Sequence, residues 1–383
     1  MRVTSTLIGP GSHPRLADQA RVNMRKLLRA AAPLVLVAGL AGCGSGGDGA
    51  GGDDGLTVML SYKKSIYWLP MLIAEDQGYF EDEGVDVQFE ETNGSGFVTQ
   101  QLIAGNVPAG WAGAPDAAVA FSKDDNLRAL MCNPPQNIFR IVVPDDSDIE
   151  SVEDLEGKTL GIAEAGGGEE PIVNASLEAA GLQRDADVRI LPIGDAGPAS
   201  LNAILQGQVD AYAGSYPDIS TLTADGRLQT RDITPEQYNA IPGDCLVTTA
   251  DALEDDQVRD QLVGMARAWA RGAVFAAENP EAATTIACRV VPQECEDMDF
   301  ATTYVKDTIG LSGVADDADT PFGHVDDSAW QTTFEVLAES GAITTDPDAG
   351  TFAGGGIAEQ FASDYWDFDI AATREEARSS DGN

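Results

Sequence analysis

The stretch Ser151–Ala165, SVEDLEGKTLGIAEA, starts a series of alternating strands and helices. Its last seven residues form a short apolar run that is typical of a buried strand. Two further strand patterns follow, VRILPIG and VDAYAGS, each preceded by a helical pattern, EEPIVNASLEAAG and PASLNAILQGQ. Strands that alternate with helices in this way predict an α/β fold.

A first series of the same kind precedes this stretch. From Leu56 onward, strand patterns occur at LTVMLSY, VDVQFEE, PAGWAGA, LRALMC and NIFRIVVP, with helical patterns between the first four. After a last strand pattern, DCLVTTA, the chain becomes mostly helical, and a long amphipathic helix is expected to end near Asn279–Pro280. The tail, residues 371–383, is polar and expected to fray. Two such series fit either one large sheet or two lobes between which the chain passes out and back.

The charge balance is strongly acidic. The 383 residues include 63 Asp and Glu against 23 Lys and Arg, which gives a formal net charge of -40. Such a surface repels the phosphates of nucleic acid and anionic lipid headgroups, so neither is an expected partner. Against this background, the adjacent Lys63 and Lys64 have two interpretations. They attract an anionic solute, or they form a solvated rim that contacts nothing.

The N-terminal residues resemble a bacterial lipoprotein signal. A basic start at Met24 is followed by the apolar APLVLVAGLAG, which is too short to span a bilayer comfortably, and then by Leu40-Ala41-Gly42-Cys43. These four residues look like a lipobox, whose cysteine is lipidated and begins the mature chain. We therefore predict removal of residues 1–42, with Met24 as the true start, and a lipid anchor on Cys43 at the extracytoplasmic face of the cell membrane. An ordinary signal peptide with an incidental cysteine is the alternative. Residues 43–55 would then form a disordered Gly/Asp-rich tether.

Four cysteines remain beyond Cys43: Cys132, Cys245, Cys288 and Cys295. An even count outside the cytoplasm favours disulfides, and four cysteines allow three pairings. The short spacing of Cys288 and Cys295 favours a local loop, which leaves Cys132 with Cys245. No CxxC pair occurs, and His324 is the one histidine beyond residue 42. The sequence therefore predicts no metal site and no cofactor.

Ligands of α/β proteins gather where the carboxyl ends of strands lead into helix N-termini. Five loops meet this condition: Tyr62–Trp68, Thr92–Gly96, Trp111–Asp116, Ala165–Glu170 and Gly214–Asp218. The predicted ligand-binding residues within them are Tyr62, Tyr67, Trp68, Asn93, Gly94, Ser95, Gly96, Trp111, Gly113, Gly166, Gly167, Glu169, Glu170, Ser215 and Tyr216.

Each of these residue types has a functional interpretation and a structural alternative. The glycines of TNGSGF and AGGGEE let the backbone approach a ligand, and Ser95 adds a hydroxyl, but the same glycines also make ordinary turns. Glu169 and Glu170 suit a ligand with N–H donors or positive charge, or they stabilise a helix N-terminus. The Tyr and Trp side chains suit stacking on a flat ligand or a cation, or packing in the core.

Several motifs, taken in order, resemble one protein family. They are PMLIAEDQGYFEDEGVDVQFEE, SVEDLEGKTLGIAE, LNAILQGQVDAY and ARAWARGAVFAAENPEAA. From Leu56 to about Ala342, this order resembles the bacterial ABC-transporter solute-binding proteins of the nitrate/sulfonate/taurine and thiamine-pyrimidine-precursor binding group. The resemblance implies a type II periplasmic-binding-protein fold, an α/β fold of two lobes joined by a two-stranded hinge.

The same resemblance implies where the lobes begin and end. It gives lobe 1 as residues 56–142 plus 245–370, and lobe 2 as residues 143–244. The crossings between them are expected near Ile138–Pro144 and Gly243–Ala250. Cys132 and Cys245 would then lie close to the hinge, where a disulfide would limit lobe motion.

The implied function is a monomeric, lipid-anchored receptor that delivers a small organic solute to an ABC permease and its ATPase. No chemistry is required, in agreement with a sequence that has no G-x-S-x-G, no H-E-x-x-H and no P-loop. The alternatives are a sensory module for a membrane partner, or an enzyme like the fungal thiamine-pyrimidine synthases, whose cysteine-rich motif and consumed histidine have no counterpart here. Tyr67, Trp68, Tyr216 and Glu169 or Glu170 would supply the aromatic rings and carboxylate that suit a thiamine-pyrimidine-like heterocycle, whereas Lys63, Lys64 and TNGSGF would suit nitrate, sulfonate or taurine. The heterocycle is slightly preferred.

Overall fold

The computed structural model describes residues 55–382, apart from residues 195, 225, 315–320, 326, 346 and 355–356. The predicted signal peptide, the lipidated Cys43 and the tether up to residue 54 lie outside the described residues. Within the described part of the chain, no helix is long and apolar enough to cross a membrane.

The fold is built on two five-stranded sheets, one in each lobe. The strands are β1 (Leu56–Leu60), β2 (Val87–Glu91), β3 (Ala109–Gly113), β4 (Leu127–Cys132), β5 (Phe139–Pro144), β6 (Thr159–Ile162), β7 (Arg189–Pro192), β8 (Ala211–Ser215), β9 (Thr230–Asp232) and β10 (Asp244–Thr249). The first sheet has the order β2-β1-β3-β10-β4, and the second has the order β7-β6-β8-β5-β9. In each sheet one strand, β10 or β5, runs antiparallel to both of its neighbours, and the remaining pairs are parallel. The predicted α/β fold of two lobes is confirmed.

Helices connect the strands and extend the first lobe. They are α1 (Leu69–Asp76), α2 (Tyr79–Asp82), α3 (Ser95–Ile103), α4 (Ala114–Phe121), α5 (Glu170–Ala179), α6 (Pro198–Leu205), α7 (Tyr216–Thr223), α8 (Ala250–Leu253), α9 (Asp256–Glu278), α10 (Pro280–Val290), α11 (Met298–Ser312), α12 (Asp327–Glu339), α13 (Ala349–Phe352), α14 (Ile357–Trp366) and α15 (Ile370–Ser379). Short 3₁₀ turns occur at Ile66–Trp68, Val152–Leu155, Glu236–Tyr238 and Pro292–Glu294.

The chain passes between the two sheets twice. Because β4 and β10 belong to the first sheet and β5 and β9 to the second, the connecting segments are residues 133–138 and 233–243. The sequence predicts crossings near Ile138–Pro144 and Gly243–Ala250, and the two connecting segments end at the first residue of each of these ranges. Those two apolar runs are strands β5 and β10, each paired on both sides within a single sheet.

The long helix α9 shows how the sequence sets its own boundaries. The carboxylate of Asp255 accepts hydrogen bonds from two backbone N–H groups of the first turn, at 2.9 and 3.3 Å. The helix ends before Asn279–Pro280, as predicted, because proline cannot continue the backbone hydrogen bonds of a helix. Asn279 then caps α10, since its side-chain oxygen accepts from the N–H of Ala282 at 3.1 Å.

The core of the first lobe is centred on three tryptophans that contact one another. Trp68, Trp111 and Trp269 are fully buried. The rings of Trp111 and Trp269 stack with centroids 4.5 Å apart, and Trp68 meets Trp269 edge-on at 5.9 Å. Such aromatic pairs contribute about 0.5–1.5 kcal/mol beyond the area that they bury. This cluster joins β3 and α9 behind the cleft described below.

Both predicted disulfide pairings are confirmed. One bond joins Cys288 to Cys295, and the other joins Cys132 to Cys245. Cys132 and Cys245 lie directly opposite each other on the neighbouring strands β4 and β10. This disulfide therefore ties together the two strands of the first sheet at which the connecting segments attach.

The prediction that the polar tail frays is wrong, because α15 packs against α9. Thr373 and Ala377, four residues apart, are buried. The side-chain amide of Asn279 donates to the carbonyl oxygens of Ala377 and Ser380, at 2.8 and 3.0 Å. Two small buried residues in a polar segment give only a weak apolar pattern, which is why the sequence does not indicate this helix.

Candidate functional site

A small cavity, called the cleft below, lies between the two sheets at the carboxyl ends of their parallel strands. Its volume is ≈ 90 Å³, which is far below the ~300–1,000 Å³ of ordinary small-molecule pockets. The first lobe contributes Ser61, Tyr62, Lys63, Tyr67, Thr92, Asn93, Gly94, Ser95 and Asp244. The connecting segment, β5 and the second lobe contribute Ile138, Phe139, Ala163, Glu164, Gly167, Gly168, Glu169, Ser215, Pro217 and Asp218.

A larger groove of ≈ 880 Å³ lies elsewhere, along α9 and α14 of the first lobe. It is open to solvent and receives no residue from the second lobe or from any of the five predicted loops. The cleft is the better candidate because both lobes supply its walls, so that a ligand held there would contact each of them.

The two adjacent lysines in the loop between β1 and α1 point to different places. Lys63 lines the cleft, and its Nζ atom lies 5.3 Å from the centroid of the Tyr62 ring. Lys64 instead pairs with Glu75 of α1, with Nζ 2.6 Å from Oε2. The lysine pair therefore does not act as a unit, and only Lys63 is placed where it meets a solute.

The same loop carries Tyr67, whose hydroxyl group is hydrogen-bonded within the cleft wall. The hydroxyl of Tyr67 donates to Oδ2 of Asp244 at 2.7 Å, and the hydroxyl of Ser61 donates to Oδ1 at 3.3 Å. Tyr67 and Asp244 are both about 4% exposed. Burial raises the pKa of Asp244 from 3.8 to about 6, although its two hydroxyl partners lower it. The side chains of this pair are thus fixed before any ligand enters.

The glycines of the TNGSGF turn lie where the two lobes approach each other. Gly94 has a φ of 96°, in the region that favours glycine. A Cβ atom on Gly94 would lie 2.6 Å from Oε1 of Glu164 in the second lobe, and one on Gly96 would lie 3.3 Å from the carbonyl oxygen of Gly166. These glycines therefore permit the lobes to close, which is a different role from direct contact with a ligand.

Ser95 and its neighbours hold the first lobe together below the cleft. Ser95 is buried, and its hydroxyl accepts from the N–H of Gly113 at 2.9 Å. A Cβ atom on Gly113 would lie 3.0 Å from the ring of Phe139. Gly113 thus makes room for an aromatic ring from β5, while Asn93 lines the cleft beside Ser95.

The two glutamates at the start of α5 have different environments. Glu169 is 4% exposed, lines the cleft and accepts from the N–H of Ala163 at 3.0 Å. Burial is the main reason that the pKa of Glu169 is raised to about 8; the charge of Asp218 also raises it, while hydrogen bonds from backbone N–H groups lower it. Glu170 points elsewhere and pairs with Arg184 at 2.7 Å. Of these two glutamates, only Glu169 can present its carboxyl group to a ligand in the cleft.

Gly167 and Ser215 complete the wall from the second lobe. A Cβ atom on Gly167 would lie 2.4 Å from Oε2 of Glu169, so glycine is needed for that carboxyl group to fit. Ser215 precedes α7 and donates from its hydroxyl to Oδ2 of Asp218 at 2.6 Å. This capping interaction turns the buried Asp218 toward the cleft side of the helix.

Buried carboxyl groups from both lobes converge on the cleft. Asp244 of the first lobe and Glu169 and Asp218 of the second are buried and line the cleft, and Asp116 of the first lobe interacts electrostatically with Glu169 and Asp244. The residue Asp116 is partly exposed, but its Oδ2 atom is buried without a hydrogen-bond partner among the described residues. Its pKa is raised well above 3.8, first by burial and then by the charges of Glu169 and Asp244. The arrangement disfavours anions and favours positive charge or N–H donors.

Several predicted residues do not line the cleft. Trp68 and Trp111 lie in the tryptophan cluster of the core, because the turn before α1 and the strand β3 direct them away from the second lobe. Tyr216 is half-buried beside Tyr304, with ring centroids 6.2 Å apart. Gly96, Gly113, Gly166 and Glu170 contact protein in the ways described above. Ligand contact by Tyr62, Tyr67, Asn93, Gly94, Ser95, Gly167, Glu169 and Ser215 stays a prediction.

Asp244, Asp218 and Phe139 line the cleft but are missing from the sequence-based set. The rule used for the prediction considers loops that follow parallel strands. Asp244 begins the antiparallel strand β10 and pairs with Gly113 at the end of β3, so it reaches the same edge from the opposite direction. An acidic residue directly before the apolar run CLV was the one available signal.

Among the described residues, no three His, Cys, Asp or Glu side chains are grouped so that they would hold a metal ion.

These features agree with the relationships of the chain. The sequence profile of the NMT1/THI5-like family matches residues 65–283, more than half of the chain. The chain belongs to this family. It is 24% identical over 285 residues to a formylaminopyrimidine-binding protein of Halalkalibacterium halodurans, covering 73% of this chain and 83% of that protein. It is 22% identical over 307 residues to the riboflavin-binding protein RibY of Chloroflexus aurantiacus, covering 76% of this chain and 83% of that protein.

Solved structures show the same fold. The alkanesulfonate-binding protein SsuA of Xanthomonas axonopodis pv. citri, bound to MOPS, matches with a TM-score of 0.56 and 18% identity, covering 76% of this chain and 94% of that one. The fold is that of the periplasmic binding proteins. The resemblance to solute-binding proteins that the sequence motifs indicate is confirmed at the level of family and fold.

Proposed function

We propose that this protein is an extracytoplasmic solute-binding protein that captures a small, flat nitrogen heterocycle between its lobes and delivers it to an ABC importer. The family membership and the two-lobed fold support the binding role, and the two relatives described above are named as binding proteins. Both names refer to nitrogen heterocycles, a formylaminopyrimidine and riboflavin. The proposed role is binding alone, without chemical conversion of the ligand.

The observation that carries the substrate class is the convergence of carboxyl groups from both lobes. Asp244 and Glu169 line opposite walls, and Lys63 is the one basic residue among the lining residues that the structure describes. A carboxylate accepts hydrogen bonds, so it matches the ring or exocyclic N–H groups of an aminoheterocycle. Nitrate and sulfonates carry only acceptors and negative charge, so the carboxylate of Asp244, which is ionised above a pKa of about 6, would repel them.

The geometry also supports stacking on a flat ligand. The rings of Tyr62, Tyr67 and Phe139 line the same cleft as the carboxyl groups. Because a cavity of ≈ 90 Å³ is small for such a ligand, binding requires the lobes to separate and close again. The membrane permease would then recognise the closed, ligand-bound form of the protein.

The lipid anchor and the import role are supported by the sequence alone. Leu40-Ala41-Gly42-Cys43 after a basic and apolar segment favours attachment through Cys43. Labelling of cells with a fatty-acid analogue and fractionation of membranes would test it. The C43S variant should lose both label and membrane association, and retention of either would contradict the anchor.

The substrate class is tested by thermal shift and calorimetry on the purified protein. We expect stabilisation by an aminopyrimidine or riboflavin, of about 2.7 kcal/mol at 100 times the Kd. Taurine, an alkanesulfonate and nitrate should give no shift. A shift with these anions alone would overturn the substrate class, and formation of a product from any of the compounds would overturn the binding-only role.

A further inference from the structure

The cleft loop contains a short 3₁₀ turn, Ile66–Trp68, whose N-terminus is capped from far along the chain. The first N–H groups of a helical turn have no partner within it. Ser65 occupies the capping position, but its side chain makes no capping bond, and its Oγ atom is buried without a partner among the described residues. Instead, Oε2 of Glu294 accepts from the N–H of Ile66 at 2.7 Å, across 228 positions of sequence.

This bond satisfies a backbone group that water does not reach. Ile66 is fully buried, and a buried N–H group that loses its acceptor is strongly unfavourable. Tyr67 is the next residue of the same turn, and its hydroxyl must lie 2.7 Å from Asp244 to keep its bond. The position of the Tyr67 ring at the cleft therefore depends on how firmly the turn is held.

Glu294 is itself held in place by two constraints. It lies in the turn Pro292–Glu294, inside the loop that the Cys288–Cys295 disulfide closes. The neighbouring Arg289 forms a bidentate pair with Asp76 at the end of α1, with contacts of 2.6 and 2.7 Å. The disulfide loop is thus fixed to the helix that directly follows the cleft loop.

Glu294 also affects the charge at the cleft. Burial raises its pKa, while the hydrogen bond from Ile66 and the charge of Lys63 lower it. Lys63 lines the cleft three residues before Ile66. The same carboxylate therefore binds the backbone of the loop and attracts its basic side chain.

We propose that Glu294 is a positioning residue for the cleft. It caps the turn Ile66–Trp68 and so fixes where Lys63 and Tyr67 meet a solute, and the disulfide between Cys288 and Cys295 keeps it in place. The proposal rests on the proposed function only in taking the cleft as the ligand site, because the position of the loop does not depend on what binds there.

The test uses the full-length protein with E294A, E294Q, the double variant C288S/C295S and, as a matched control, E296A. Glu296 is exposed and lies just outside the disulfide loop, so its loss removes the same charge from nearly the same place. Hydrogen exchange of the peptide that spans residues 61–68 is measured without ligand. Affinity is measured with a 4-aminopyrimidine as the probe.

We expect E294A to speed hydrogen exchange in residues 61–68 by about tenfold or more, and to raise the Kd for the probe by about tenfold. Both effects correspond to the loss of one charge-assisted hydrogen bond. C288S/C295S should shift both measurements in the same direction. E294Q keeps an oxygen acceptor for Ile66, so it should stay close to the wild type, as should E296A.

Unchanged exchange in both E294A and C288S/C295S would overturn the proposal. The proposal would also be overturned if E294Q bound the probe as weakly as E294A, because the effect would then arise from the charge of Glu294 and not from its hydrogen bond with the N–H of Ile66. Faster exchange in E294A, combined with no binding of the probe to the wild type, would support the positioning role while refuting the proposed substrate class.

Discussion

Asp244 shows at the scale of one residue how the cleft is organised. Its carboxyl group accepts from the hydroxyls of Tyr67 and Ser61, and all three side chains lie in the wall of the cleft. In a buried site, a hydrogen bond to a carboxylate contributes more than one in water, and a lost partner leaves an unfavourable buried charge. The pair therefore stabilises the first lobe and also sets the orientation of the Tyr67 ring.

Removal of either partner should destabilise the protein, and the two losses should not add. We expect Y67F and D244N each to lower the free energy of unfolding by about 1–3 kcal/mol. The free energy of unfolding lost in the double variant should be smaller than the sum of the two single losses, because both changes remove the same hydrogen bond. Urea denaturation of the four proteins measures the coupling. Fully additive losses would show that the 2.7 Å contact contributes nothing.

Glu169 makes stability depend on pH, with a definite sign. Burial raises its pKa from 4.5 to about 8, so the folded protein keeps a proton that the unfolded chain loses as the pH rises above 4.5. Stability should therefore fall between about pH 4.5 and 8, by up to ~1.4 kcal/mol per pH unit, and level off above that range. Binding of a cationic ligand should strengthen as the pH rises through about 8, because the carboxylate of the folded protein becomes charged there.

The variant E169Q isolates this contribution. It lacks the titrating group, so its stability should fall less steeply than that of the wild type in urea denaturation between about pH 5 and 9. E178Q removes a negative charge from the exposed face of the same helix and serves as the control. If the free energy of unfolding fell with pH at the same slope in E169Q and in the wild type, the role assigned to Glu169 would be contradicted.

At the scale of elements, the sequence predicts strands better than it predicts the side chains that meet between them. Each apolar run read as a strand in the two series forms one, since a buried strand needs a short uniform pattern and nothing more. The sequence predicts Trp111 at the cleft because it lies in a loop at the carboxyl end of a strand. It points into the core because β3 is buried on both faces, and period-2 alternation then gives no guide to direction. Asp244 was missed because only the pairing of β10 with β3 brings it to the cleft.

The two disulfides stabilise elements that are separated by very different lengths of chain. The Cys132–Cys245 bond closes 113 residues and the Cys288–Cys295 bond closes 7. If a disulfide acts mainly by restricting the unfolded chain, the longer loop contributes more, by about 2 kcal/mol.

We therefore expect C132S/C245S to lower the free energy of unfolding by about 2 kcal/mol more than C288S/C295S. Urea denaturation of the two double variants under identical conditions makes the comparison. Equal losses would indicate that strain or structure in the unfolded chain outweighs loop length.

At the scale of the whole molecule, closure of the lobes brings like charges together. Asp116 and Asp244 of the first lobe face Glu164, Glu169 and Asp218 of the second. In the described conformation, Gly94 lies so close to Glu164 that there is no room for a Cβ atom. When the carboxyl groups ionise, their repulsion opposes this closed arrangement. A proton or a cationic ligand between them removes the repulsion.

Closure should therefore respond to pH and to ligand in a linked way. Small-angle X-ray scattering of the full-length protein at about pH 8.5 should give a larger radius of gyration than at about pH 5.5, because Glu169 and Asp244, with pKa values of about 8 and 6, gain protons on acidification. An aminopyrimidine that binds should compact the protein at the higher pH and change it little at the lower one. The radius of gyration of the double variant D244N/E169Q should change less with pH, since it lacks the titrating cleft carboxyl group of each lobe. A radius that shifts with pH equally in this variant would attribute the change to the general surface charge of -40 and not to the cleft.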